Sequence, residues 1–151
     1  MTIEERLLED MNGALKARDK IQLETIRMLR AKIKDARISK MSDLSESEIE
    51  QVLFTAVKQR KEAIELYHQG NRSDLVNKEK AELEIIQRYL PEQLSEEQIE
   101  SIIHETISSL QATSEKDLGR VMGSIMPRTK GKADGKLIQQ KVRELLSKLT
   151  Q

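Results

Sequence analysis

SEKDLGRVMGSIMPRTKGKADGKLIQQKVRELL, residues 114–146, reads as helix, loop and second helix. Ser114 is a plausible N-cap, and Asp117 can return a bond to it as in a capping box. Leu118, Val121, Met122 and Ile125 then share one helical face. Gly119 and Gly123 lie four apart and leave a smooth strip for close approach by another helix. Pro127 lacks an N–H and is expected to stop this helix. Arg128, Thr129, Lys130, Gly131, Lys132, Ala133, Asp134, Gly135 and Lys136 follow, a segment expected to be flexible and strongly positive. Asp134 is suited to cap a last helix whose apolar face carries Leu137, Ile138, Val142, Leu145, Leu146 and Leu149. Cations thus surround a helix N-terminus, where free N–H groups and the dipole favour anions such as phosphate. A solvated basic turn is the competing reading. A P-loop is excluded: the glycine spacing is one residue short, Leu137 replaces the Ser/Thr, and no strand precedes it.

The same punctuation recurs upstream. Thr2 with Glu5, and Ser45 with Glu48, form capping-box patterns; Asp19 with Gln22 and Ser95 with Gln98 mark two further starts. The first helix carries a stripe of Ile3, Leu7, Leu8, Met11 and Leu15. The second turns Leu23, Ile26, Leu29, Ile33 and Ala36 inward. The third aligns Ile49, Val52, Leu53, Ala56, Val57 and Ile64, and Gly70-Asn71 ends it by the left-handed route. A fourth, from about Ser73 to Tyr89, is anchored by Leu75, Leu83, Ile86 and Leu90. Pro91 obstructs its continuation, and the helix after Ser95 buries Ile99, Ile102, Ile103, Ile107 and Leu110. The expectation is an all-α chain of about seven helices: an N-terminal helical bundle or hairpin pair over 1–94, then a small three-helix domain over 95–151.

Composition agrees. The chain has 151 residues, 34% charged and 37% hydrophobic, with one Phe, two Tyr and no Trp, so Leu, Ile and Met must build the core. Charges of the two signs balance at 26 each, as in a folded chain rather than a disordered one. The absence of Cys excludes disulfides, thiolate catalysis and cysteine zinc sites. The N-terminus is acidic and amphipathic, unlike a signal peptide, and no apolar run approaches a membrane span of about 18 residues. A cytoplasmic protein that does not engage membranes is the expectation. From residue 113 onward nine Lys/Arg face four acids, which makes the C-terminal end the basic one.

MPRTKGKADGKLIQQKVRELL resembles the C-terminal signature of the GatB/YqeY family. Its parts are a Met-Pro helix end, a Lys-Gly-Lys-Ala loop and Asp-Gly-Lys opening the last helix. The tail of the GatB subunit of tRNA-dependent amidotransferase has a similar loop, usually with Asn-Pro-Lys in place of Asp134-Gly135-Lys136. That difference points to the free-standing YqeY branch. The resemblance continues through Arg27-Met-Leu-Arg30, Glu84-Ile-Ile-Gln-Arg-Tyr89-Leu-Pro91 and Gln93-Leu-Ser95-Glu-Glu. It implies contact with tRNA away from the acceptor end. Carried over by position, the RNA-binding candidates are Lys130, Lys132 and Lys136, with Arg128 flanking, Arg120 from the preceding helix, and Gly131 and Gly135 allowing close backbone approach.

No catalytic constellation accompanies them. There is no GxSxG elbow, no Ser–His–Asp order and no glycine-rich nucleotide loop. Glu100 and His104 share a face at i, i+4, but a zinc site needs three or four ligands; His68 reads as a surface histidine. No catalytic residue, metal or cofactor is therefore assigned. A secondary basic ridge comprises Arg27, Arg30, Lys34 and Arg37, and Lys58, Arg60 and Lys61 form another cluster; both fit solvated faces as well. Aromatic side chains for base stacking are missing, so any RNA is expected to be gripped by backbone and shape. The leading expectation is a non-catalytic accessory protein that binds tRNA or another structured RNA. The alternatives are a helical adaptor docking Gly119, Met122, Gly123 and Met126 on a tRNA amidotransferase or aminoacyl-tRNA synthetase, and participation in glutamine-dependent carbon–nitrogen ligation by family association.

Overall fold

Most helix starts in this chain are set by short polar side chains; the helix that follows Arg72 has no side-chain cap. Thr2 and Ser45 accept the N3 amides of Glu5 and Glu48, whose carboxylates return bonds to the cap N–H groups. Ser95 and Gln98 form the same reciprocal pair, and Asp19 accepts the amide of Gln22. A computed structural model describes residues 1–149 and is helical throughout: α1 (Ile3–Ala17), α2 (Lys20–Lys40), α3 (Glu46–Gln69), α4 (Ser73–Gln87), α5 (Glu96–Leu110), α6 (Leu118–Thr129) and α7 (Gly135–Leu149). A 3-10 turn, Glu115–Asp117, precedes α6, and no strand occurs among the described residues. The all-α expectation and its seven helices are met.

The chain divides into two compact units, Met1–Pro91 and Glu92–Gln151. In the first, short connections make α1 and α2 one hairpin and α3 and α4 another. Leu7, Ile26, Leu29, Ile33, Leu53 and Ile86 form its core. Tyr89 closes the unit. Its hydroxyl donates to the Asp10 carboxylate, the Arg6 guanidinium lies 5.0 Å from its ring centroid, and Arg6 also donates to the Arg88 carbonyl at 2.9 Å. Burial first, and then the Asp10 carboxylate, hold the Tyr89 phenol above its ordinary value. Arg60 ties α3 to α4 through Glu82 at 2.8 Å and Glu79 at 3.2 Å.

Several boundaries and faces differ from expectation. Leu8 and Leu15 are exposed, because α1 packs chiefly on α2 and its buried stripe, Ile3, Leu7 and Ala14, is narrow. The left-handed residue after α3 is Asn71, while Gly70 keeps a negative φ. Arg18, Met41 and Gln111 also cap helices in the left-handed region without being glycine.

In the second unit, Ile99, Ile103, Val121, Ile125, Ile138, Val142 and Leu146 build a separate core from α5, α6 and α7. Leu137 and Leu149, assigned from sequence to the apolar face of α7, are exposed. Pro127 does not stop α6, which runs two residues further, to Thr129. Proline removes only the donor that would reach the Gly123 carbonyl. Gly123 is exposed, so water can take that carbonyl up.

Candidate nucleic-acid interface

The turn between α6 and α7 is built around Thr129. This side chain is buried, and its hydroxyl donates to the Ile125 carbonyl at 3.2 Å. Its own carbonyl accepts the amides of Lys132 at 2.9 Å and Ala133 at 3.2 Å, folding the chain back at once. That reversal needs a left-handed residue, and Gly131 supplies it with φ 78°. The segment leading into α5 fastens the outer side. Leu94 donates its amide to the Lys132 carbonyl at 2.9 Å, and Gln93 Nε2 donates to the Gly131 carbonyl at 3.1 Å. Only part of the basic stretch is loop: Arg128 and Thr129 belong to α6, Gly135 and Lys136 to α7, and residues 130–134 form a short connection tied by these hydrogen bonds.

Asp134 caps α7 as its sequence suggests, accepting the Lys136 amide at 3.0 Å on its carboxylate and the Ile138 amide at 3.1 Å on its carbonyl. This occupies part of the helix terminus with a negative group. The dipole at this end is thus partly answered by Asp134, and the remaining positive charge is that of the lysine side chains. Gly135 is the first residue of α7, and a Cβ there would lie 3.4 Å from Met126 Cε. Its small size serves packing of the two helices.

Three of the seven candidates have free charge. Lys130, Lys132 and Lys136 are exposed and have no ion partner among the described residues. Arg120 is engaged by Asp117 at 3.2 Å, and Arg128 lies in the last turn of α6, 3.5 Å from Glu105. Asp117 is itself held below the usual carboxylate range, chiefly by the backbone N–H of Thr113, with Ser114 and Arg120 assisting. Sequence reasoning passed over a further basic strip. Lys136, Gln139, Gln140, Arg143 and Lys148 line an open groove of about 670 Å³ along the outer face of α7, with Glu115 and Glu144 also at its edge. The signal was present: these positions are the complement of the apolar stripe Ile138, Val142 and Leu146.

The other candidates resolve as follows. On the secondary ridge, Arg27, Arg30 and Lys34 are exposed, whereas Arg37 pairs with Glu4 at 2.5 Å. In the cluster of Lys58, Arg60 and Lys61, the arginine belongs to the α3–α4 ion pairs. Glu100 faces Lys141 at 3.6 Å, and no group of three or more potential metal ligands occurs among the described residues. On α6, a Cβ added at Gly119 or Gly123 would meet open space, and Met126 is exposed, while Met122 packs partly into the core.

This architecture has known relatives. A family model described as Yqey-like protein matches residues 4–146. The chain belongs to the YqeY-like family. Among curated relatives, "Altered inheritance of mitochondria protein 41, mitochondrial" of Pyrenophora tritici-repentis is 28% identical over 144 residues, covering 93% of this chain and 79% of that protein. The protein of the same name in Lachancea thermotolerans is 39% identical over 85 residues, covering 56% of this chain and 46% of that protein. The chain's matched part is thus under half the length of the Lachancea relative. Among the described residues, no helix of this YqeY-like chain is long and apolar enough to cross a membrane.

Proposed function

We propose that this YqeY-like chain is a non-catalytic accessory protein that binds structured RNA, tRNA foremost, through the α6–α7 turn. One observation carries the reading. Lys130, Lys132 and Lys136 project unpaired charge from a segment whose backbone is already ordered by hydrogen bonds. Such a site binds phosphate with little further loss of backbone entropy. The outer face of α7 extends it with Arg143 and Lys148. Phosphate contacts position RNA without reading bases, so recognition is by shape. A gel-shift panel of tRNA, unstructured RNA and duplex DNA tests this. The expected order places tRNA first; failure to bind tRNA in low-salt buffer would remove the proposal.

A second reading rests on α6. Gly119, Gly123 and Met126 present an open strip, which suits docking on another helical protein, a tRNA amidotransferase or an aminoacyl-tRNA synthetase. Glutamine-dependent carbon–nitrogen ligation enters this proposal only through such an assembly. The cytoplasmic placement belongs to the proposal too. The relatives carry a mitochondrial designation in their names, and cell fractionation distinguishes the two compartments.

A further inference from the structure

The first unit carries a trough of about 760 Å³ between α1 and α2. Its apolar lining is Leu8 from α1 and Ala31 and Ile38 from α2, with buried Ile33 at its base. Leu8 is 45% exposed and Ile38 63%, high values for large aliphatic side chains in a folded chain. Ala31 and Ile38 are seven residues apart, about 10.5 Å along the helix axis, which is two turns of an α-helix.

Charge along the two walls is unequal. On the α1 wall, Glu4 is paired with Arg37, while Glu5 accepts the Thr2 amide at 3.0 Å and keeps its negative charge without an ion partner among the described residues. On the α2 wall, Lys34 has no ion partner among the described residues, and Arg30 bonds only the weakly accepting Met11 sulfur at 3.2 Å. Arg27 continues that wall, also unpaired. The lining thus holds two carboxylates and three cations, and its small positive excess lies on the α2 wall, at Arg30 and Lys34.

We propose that this trough receives an acidic amphipathic helix of another protein. Apolar residues at i, i+3 or i+4 and i+7 would cover Leu8, Ala31 and Ile38, and flanking carboxylates would meet Arg30 and Lys34. Nucleic acid fits less well. Phosphates would satisfy the cations but leave the apolar strip without a partner, and no aromatic side chain lines it for stacking.

The test places a photoreactive phenylalanine analogue at position 38 of the full chain, in cells of its own organism, and maps the crosslinked atoms by mass spectrometry. The expected adduct is a single segment of another protein with carboxylates flanking an apolar helical stripe. A peptide of that segment should bind the purified chain, and Arg30→Glu with Lys34→Glu should weaken it about tenfold, or about 1.4 kcal/mol. Both substituted side chains are exposed, and a thermal melt confirms folding. The Arg30→Lys variant should retain binding. Adducts to RNA, lipid, a second copy or a non-acidic segment overturn the proposal. So does an absence of adducts, or binding that is indifferent to charge reversal.

Discussion

At the scale of single residues, the turn between α6 and α7 depends on backbone geometry more than on charge. Gly131 holds φ 78°, where a side chain is strained, so Gly131→Ala should destabilise the second unit by about 1–2 kcal/mol in urea titrations. Asp134→Ala should cost about 1 kcal/mol through the lost cap. RNA affinity should not fall with it, because the variant removes a negative group beside Lys132 and Lys136. Tyr89 gives a pH-dependent test. Its folded phenol is held above the ordinary value near 10 by burial and Asp10. The folded state therefore keeps a proton that the unfolded state releases. The stabilisation is complete below about pH 10 and is lost as pH rises further. Urea titrations of wild type and Tyr89→Phe should show a difference that shrinks above that pH. The Asp134 cap and the three lysines were legible in sequence. The anchoring by Gln93 and Leu94 was not, because it joins residues 38 positions apart in the chain, and the local bonds of Thr129 use its backbone carbonyl and a hydroxyl with no pattern to mark them.

At the scale of elements, helix starts were legible, and so was the end of α3 at Gly70-Asn71, but several other ends were not. Ser, Thr and Asp announce an N-cap by their side-chain chemistry. Three C-caps here are Arg18, Met41 and Gln111, held left-handed by the hydrogen bonds that close each helix. No glycine marks them. Met41 is 90% exposed at φ 61° and has little packing to lose. Met41→Gly should therefore stabilise the first unit by up to about 1 kcal/mol, read as a higher urea midpoint at unchanged slope. The misplaced leucines of α1 and α7 share one cause. Periodicity identifies an apolar face but not how much of it a neighbouring helix covers, and that depends on tertiary packing.

At the scale of the whole molecule, separate cores in 1–91 and 92–151 make stability local. Ile138→Ala should cost about 2–5 kcal/mol. Hydrogen exchange should then report lost protection in α5, α6 and α7 and little change in α1–α4. The central claim, that three unpaired lysines grip RNA phosphate, is tested most directly by the salt dependence of tRNA binding. Each phosphate contact on a duplex region contributes roughly −0.9 to the slope of log affinity against log salt. Replacing Lys130, Lys132 and Lys136 together by Ala should reduce the magnitude of that slope by about 2.7, with helix content unchanged and a similar loss for different tRNAs. A triple variant that keeps wild-type affinity and slope would contradict the account.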